Sequence, residues 1–123
     1  RGIVKLKTKI WIEDDQNNLV FGGGKTQVLE LIDQTGSIAQ ASKKVGMNYK
    51  KTWNHIKILQ EFIDDELVIV QKGRSAGGTV LTPKAKELIE NYKLLQKEIK
   101  AFSQQRFNEL FKKENLIQCS NEN

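Results

Sequence analysis

Residues 35–56 read TGSIAQASKKVGMNYKKTWNHI. Thr35-Gly36 is a helix stop, and Ser37 is placed to cap a new helix over 38–45. Ile38, Ala41 and Val45 fall at i, i+3 and i+7, a narrow apolar face. Gly46 ends that helix, and after Gly46-Met47-Asn48 another begins. Two helices joined by a short glycine-containing turn predict a helix-turn-helix. In the second helix Tyr49, Trp53, Ile56, Phe62 and Ile63 are spaced for one buried face, with Leu59 beside them. Tyr49 and Trp53 are expected to anchor it to the core, although either ring could instead stack on a base. Lys50, Asn54 and Lys57 lie on the opposite side, flanked by Lys51 and His55.

Charge sharpens this reading. Twenty Lys and Arg against fifteen Asp and Glu give +5, compatible with several partner classes. The distribution is more specific. From Ser37 to Gln60 the charged residues are Lys43, Lys44, Lys50, Lys51 and Lys57, with no Asp or Glu. A recognition helix presents the side chains near its N-terminus to base edges in the major groove. Asn48, Lys50, Lys51 and Asn54 occupy that position; asparagine can pair with adenine, and lysine can reach guanine or phosphate.

Downstream, the acidic run Asp64-Asp65-Glu66 closes the helix, and Leu67–Val70 and Thr79–Leu81 read as two short strands. Between them lies the glycine-rich tip KGRSAGG, residues 72–78. Lys72 and Arg74 on this tip suit phosphate or minor-groove contact, which makes the hairpin a wing. Thr82-Pro83 opens the last helix, threonine as cap and proline at the first position. That helix is expected to run from about Pro83 past Phe102, as far as Lys112, with a frayed tail over 113–123. Ala85, Leu88, Tyr92, Leu95, Ile99 and Phe102 form a seam of coiled-coil spacing. A helix this long needs a partner, so the seam residues Leu88, Tyr92, Leu95, Ile99 and Phe102 are expected at a homodimer interface.

Upstream, residues 3–13 (IVKLKTKIWIE) favour a strand, DDQNN a turn and Leu19–Phe21 a return strand. FGGGKTQ, residues 21–27, ends like a phosphate-binding loop, but the first glycine of that motif would fall at position 19, which is leucine. The glycines are therefore expected to turn the chain into a helix from about Lys25 to Gln34, with at most an auxiliary phosphate contact at that helix start.

The predicted fold is α+β, mostly α: a winged helix-turn-helix over residues 1–82 with an N-terminal strand or hairpin, then a dimerisation helix over 83–112. Enzymatic chemistry finds no support. Cys119 is the single cysteine and His55 the single histidine, so neither an internal disulfide nor a zinc cluster can form. The carboxylate runs at 13–15 and 64–66 lack the alternating acids and central glycine of a calcium loop. No catalytic residue, metal site or cofactor is expected. No apolar run is long enough for a membrane, and RGIVKLK has no signal-peptide core. A reducing cytoplasm is the default compartment.

TGSIAQASKKVGMNYKKTW, then KGRSAGGTVLT, then a long helix with LIENYKLL resembles the DNA-binding domain of the ModE family of molybdate-responsive regulators. More distantly the sequence resembles the winged helix of LysR-type regulators. The resemblance spans roughly residues 5–102. It implies a bacterial transcription factor, dimeric through terminal helices, on a palindromic operator. It places DNA contacts at Ser37, Asn48, Tyr49, Lys50, Lys51 and the wing; Gln40, Asn54, Lys57 and, on the wing, Lys72, Arg74 and Ser75 complete the candidate set. Molybdate-sensing members carry C-terminal oxyanion-binding domains. This sequence holds none, so molybdate binding by these residues is not expected. The expected function is sequence-specific binding of double-stranded DNA, with the recognition helix over 48–63 and the wing over 72–79. The alternative is a winged helix used as a protein-interaction module without specific DNA binding.

Overall fold

The computed structural model describes residues 4–71 and 78–112. The expected contacts at Lys72, Arg74 and Ser75 on the wing tip, the tail after residue 112 and Cys119 lie outside the described residues.

Trp11–Tyr92 forms one compact unit. It opens with an antiparallel pair, β1 (Trp11–Glu13) and β2 (Leu19–Gly22), in which Ile12 faces Phe21. The turn is built by Asp14, whose carboxylate accepts hydrogen bonds from the backbone N–H groups of Gln16 and Asn18. The strand expected over 3–13 is thus realised only at Trp11–Glu13, with an isolated bridge at Val4. Lysines alternating unevenly with aliphatics in IVKLKTKIWIE leave no clean two-residue period.

Helix α1 spans Gly23–Thr35, so it starts two residues earlier than expected and takes Gly23 and Gly24 into its first turn. Gly22, in extended backbone, precedes it. Lys25 is buried, and its ammonium donates to the carbonyls of Leu19 and Val20 at 3.2 and 3.1 Å. The Thr26 hydroxyl donates to the Gly22 carbonyl at 3.0 Å. Both side chains of the phosphate-loop lookalike thus help fasten β2 to α1.

Helix α2 spans Ile38–Val45, as Ser37 and Gly46 predicted, and α3 spans Tyr49–Ile63, between the turn 46–48 and the acidic run 64–66 as expected. Gly36 and Gly46 end the two preceding helices in the left-handed region, at φ 69° and 71°, where glycine alone carries no steric cost. Strands β3 (Val68–Val70) and β4 (Thr79–Leu81) pair antiparallel, Ile69 opposite Val80. Below the tip the hairpin is closed by Gln71 N–H on the Gly78 carbonyl at 2.7 Å. Leu67 stands just outside the strand because its N–H goes to the Gln60 side chain. Helix α4 spans Pro83–Phe107. Thr82 caps it, accepting from Ala85 N–H while its hydroxyl donates to the Glu66 carbonyl. Helix-turn-helix plus hairpin is a winged helix-turn-helix, mostly α.

One core unites these elements: Phe21 of β2, Val28, Leu29 and Ile32 of α1, Ile38 and Ala41 of α2, Ile56 and Leu59 of α3, and Leu67, Leu81, Ala85, Ile89 and Tyr92. Phe21 and Tyr92 meet edge to face with centroids 5.2 Å apart. The start of α4 is therefore part of this core, and the compact unit runs past the expected boundary at Thr82. Tyr92, expected at a dimer seam, is only 4% exposed, and Leu88 packs against the same core. A long helix leaving a small domain must first be anchored to it, and these residues of the seam supply the anchor.

The second unit comprises residues 1–10 and 93–123. Within it α4 continues to Phe107 and passes into a π-helical turn over Asn108–Lys112. Phe107 is buried and its ring lies 5.1 Å from that of Phe111. Leu95, Ile99 and Phe102 are exposed.

Candidate nucleic-acid interface

The site is built around α3. Its N-terminus is fixed by Asn48, whose side-chain carbonyl accepts Lys51 N–H at 2.7 Å. With that oxygen used, the amide NH2 is the part of Asn48 left for an external acceptor. Ser37 caps α2 in the same way, accepting Gln40 N–H at 3.1 Å. The two helices are joined inside by a pair of hydroxyls, Ser42 Oγ and Thr52 Oγ1, 2.8 Å apart and buried. The wing is tied to the same frame, because Thr79 N–H donates to the Gly36 carbonyl at 2.8 Å. The α1–α2 turn, α2, α3 and the base of the hairpin are thus one connected framework.

Thr52, Ile56 and Leu59 form the buried face of α3, with Trp53 and Ile63 partly buried beside them. Asn48, Tyr49, Lys50, Lys51, Asn54 and Lys57 are all exposed. Asn48, Lys50, Lys51, Trp53, Asn54 and Lys57 line one shallow groove along the helix. No ion pair engages Lys50, Lys51 or Lys57 among the described residues. Their charge is available to an anion, and no carboxylate lies on the groove lining. Gln40 is exposed on α2 beside this framework.

Tyr49 corrects the sequence reading. It was expected to anchor the helix, yet it is 52% exposed. Phe62, expected on the buried face, is likewise exposed. The buried stripe is centred on Thr52, a polar residue, so a count of aromatic and aliphatic side chains placed the face one residue off. Trp53 does pack against the core as expected, and its indole N–H donates to the Tyr49 hydroxyl at 2.8 Å. That contact follows from i,i+4 spacing, a signal present in YKKTW. A second cleft lies alongside, between the start of α2 and the wing, lined by Ser37, Ala39, Tyr49, Trp53, Val70 and Gln71 among others.

Behind the helix, Lys25 and His55 share a narrow interior space with Val28, Leu29, Thr52, Ile56 and Leu59. Burial pushes the Lys25 ammonium below the ordinary lysine range. Burial, then the charges of Lys25 and Lys51, hold His55 below the ordinary histidine value. No group of three or more His, Cys, Asp or Glu that could hold a metal occurs among the described residues. No helix there is long and apolar enough to cross a membrane.

No family model matches the chain. Among curated proteins it is similar to the DNA-binding transcriptional dual regulator ModE of Escherichia coli K12, 34% identical over 91 residues covering 71% of this chain and 34% of the relative. It is similar to the transcriptional regulator ModE of Haemophilus influenzae, 32% identical over 83 residues, 67% of this chain and 32% of the relative. It is also similar to the molybdenum-pterin-binding protein MopB of Rhodobacter capsulatus, 33% identical over 73 residues, 58% of this chain and 27% of the relative. The resemblance to the ModE family is thereby shown. The chain spans about a third of the length of these relatives. Among solved structures, Vibrio fischeri DarR, an LTTR family member in complex with DNA, superposes with a TM-score of 0.50 at 19% identity over 69% of this chain and 28% of that one. At that identity the match speaks for the fold.

Proposed function

We propose that this chain is the DNA-binding segment of a bacterial transcriptional regulator that acts as a homodimer on a palindromic operator. The observation that carries the reading is the groove of α3. Exposed Lys50, Lys51, Asn54 and Lys57, with Asn48 at its head, stand on a helix whose opposite face is locked into the core. A rigid helix with cations free of partners and amides facing outward has the chemistry of major-groove recognition. In this reading Lys50 and Asn54 read base edges. Lys51, Lys57, Ser37, Gln40 and Tyr49 hold the backbone, and the wing with Lys72, Arg74 and Ser75 lies on backbone or minor groove. Leu95, Ile99 and Phe102 pair with a second copy. The similarity to ModE proteins supports the same reading, since two of those relatives are described as transcriptional regulators. It assigns this segment no catalytic step, no metal and no molybdate binding, and the bacterial cytoplasm as its place of action.

The test is selection of bound fragments from random duplex DNA. A palindrome with half-sites about one helical turn apart is expected. Absence of salt-sensitive duplex binding at micromolar protein would overturn the proposal. The competing reading, a protein-interaction module, draws on the exposed Leu94, Leu95, Ile99 and Phe102. Charge reversal of Lys50 and Lys51 separates the two: it abolishes DNA binding in the first and leaves partner binding intact in the second.

A further inference from the structure

Trp53 sits at i+4 from Tyr49 with its indole N–H directed at the tyrosine oxygen, 2.8 Å away. An indole N–H can only donate, so the tyrosine oxygen accepts and its own proton must point elsewhere. Tyr49 is 52% exposed, so the hydroxyl group is not sealed by the protein. Tyr49 and Trp53 both line the cleft between the start of α2 and the wing hairpin, together with Ser37, Gln71 and Val70. Ser37 repeats the pattern: its Oγ accepts Gln40 N–H, which leaves its O–H as a donor. Ala39, in the first turn of α2, also lines the cleft, and N–H groups of a first turn have no acceptor within the helix. The cleft thus presents O–H donors whose oxygens each already accept a hydrogen bond from the protein, beside an apolar wall from Trp53 and Val70.

A phosphodiester is the complementary ligand. Its non-bridging oxygens accept and cannot donate, and the adjoining deoxyribose offers an apolar face. We infer that this cleft seats one phosphate of the DNA backbone, gripped by the Tyr49 and Ser37 hydroxyls, and that Trp53 is a positioning residue that aims the Tyr49 proton at it. The assignment rests on the DNA-binding reading above, in which Ser37 and Tyr49 hold the backbone, and adds to it the shared cleft and the role of Trp53. The contact is uncharged on the protein side, so it strengthens binding to every sequence without releasing a counterion. It sets the register in which the lysines and asparagines of α3 meet the bases.

The experiment uses the full chain and the best duplex recovered by selection. Tyr49→Phe, which keeps the ring, is expected to weaken binding about three- to tenfold, the loss of one neutral hydrogen bond. The slope of affinity against salt should stay unchanged. A methylphosphonate scan of the backbone then locates the contact: at one phosphate per half-site the neutral substitution and Tyr49→Phe should not add. Trp53→Phe should weaken binding in the wild-type background and have no further effect on top of Tyr49→Phe. Full affinity of Tyr49→Phe, or additivity with methylphosphonate at every position, overturns the phosphate assignment. Full additivity of Trp53→Phe and Tyr49→Phe overturns the positioning role and reduces Trp53 to packing. Failure of the unaltered protein to bind any duplex overturns the DNA reading itself, an outcome distinct from binding that ignores Tyr49.

Discussion

The hydroxyl oxygens of Ser42 and Thr52 lie 2.8 Å apart in the interior, one from each helix of the helix-turn-helix. Ser42 Oγ is also 2.7 Å from the Ile38 carbonyl, and Thr52 Oγ1 is 3.0 Å from the Asn48 carbonyl. Two hydroxyl protons serve these three contacts, so two are made at a time, and whenever Ser42 Oγ–H turns to Thr52 Oγ1, itself held on the Asn48 carbonyl, one helix is fixed against the other. Two apolar side chains could slide along the contact. A hydrogen bond between two helix-anchored oxygens allows one register, and that register sets the angle at which α3 leaves the domain.

The first prediction tests this link. Thr52→Val keeps the shape and removes the hydroxyl, so Ser42 keeps only its own helix carbonyl. A loss of about 1–2 kcal/mol in urea denaturation is expected. The double variant Ser42→Ala with Thr52→Val should cost less than the sum of the two single changes, because both remove one shared interaction. Additive costs would mean that the two hydroxyls act independently.

On the groove of α3, charge and amide contacts should separate by their salt response. Lys50→Ala and Lys57→Ala each remove an exposed cation with no ion-pair partner among the described residues. Lys57→Ala, at a residue proposed to hold the backbone, is expected to reduce the slope of log affinity against log salt by about 0.9, whereas Lys50→Ala, at a residue proposed to read a base edge, is expected to relax the sequence preference. Asn54→Ala should leave the slope alone, cost roughly 1–3 kcal/mol on the preferred site and relax the sequence preference. A lysine that changes preference and not slope is reading a base. Measurements on specific and random duplex over a salt series decide each case.

These assignments show what could be read from the chain before the fold was known. Ser37, Gly46 and Thr82 mark helix ends by local hydrogen-bonding chemistry: α2 begins and ends where Ser37 and Gly46 said, and α4 begins directly after Thr82. Thr52 was out of reach, because its burial comes from pairing with Ser42 ten residues earlier, a tertiary event no periodicity records. Counting Tyr49 and Phe62 as core was the direct result, since hydrophobicity without Thr52 rotates the face of α3. Lys25 was missed for a similar reason. A lysine after three glycines looks exposed until β2 brings the carbonyls of Leu19 and Val20 to its ammonium. The outward face of α3, with Lys50, Asn54 and Lys57, was legible because it is defined by what the core does not need.

Along α4 the seam should divide into two behaviours. Tyr92 lies in the core against Phe21, so Tyr92→Ala should destabilise the domain by about 3–5 kcal/mol, the usual range for truncating a buried aromatic side chain. Phe102 is 64% exposed, so Phe102→Glu should leave the thermal midpoint of the domain nearly unchanged. If Leu95, Ile99 and Phe102 pair with a second copy, Phe102→Glu shifts sedimentation equilibrium toward monomer. A dimer that survives both Phe102→Glu and Leu95→Glu would place the interface elsewhere.

The last prediction concerns the pair behind the recognition helix. Lys25 lowers the pKa of His55 through its charge, after burial as the larger cause, and Lys51 contributes the remainder. Lys25→Met keeps a long flexible side chain in the space and removes the charge. The His55 pKa should rise in that variant yet stay below the ordinary value of about 6.5, because the burial remains. A folded pKa below the unfolded one means that the unfolded chain binds more protons between the two values. Stability therefore falls as pH drops from about 6.5 toward the folded value and levels off below it. Lys25→Met narrows that window from its acid side. The chain has one histidine, so its ring protons can be followed by NMR without assignment. An unchanged titration in Lys25→Met would show that the ammonium does not act on the imidazole, and with it that the rear face of α3 is electrostatically separate from β2 and α1.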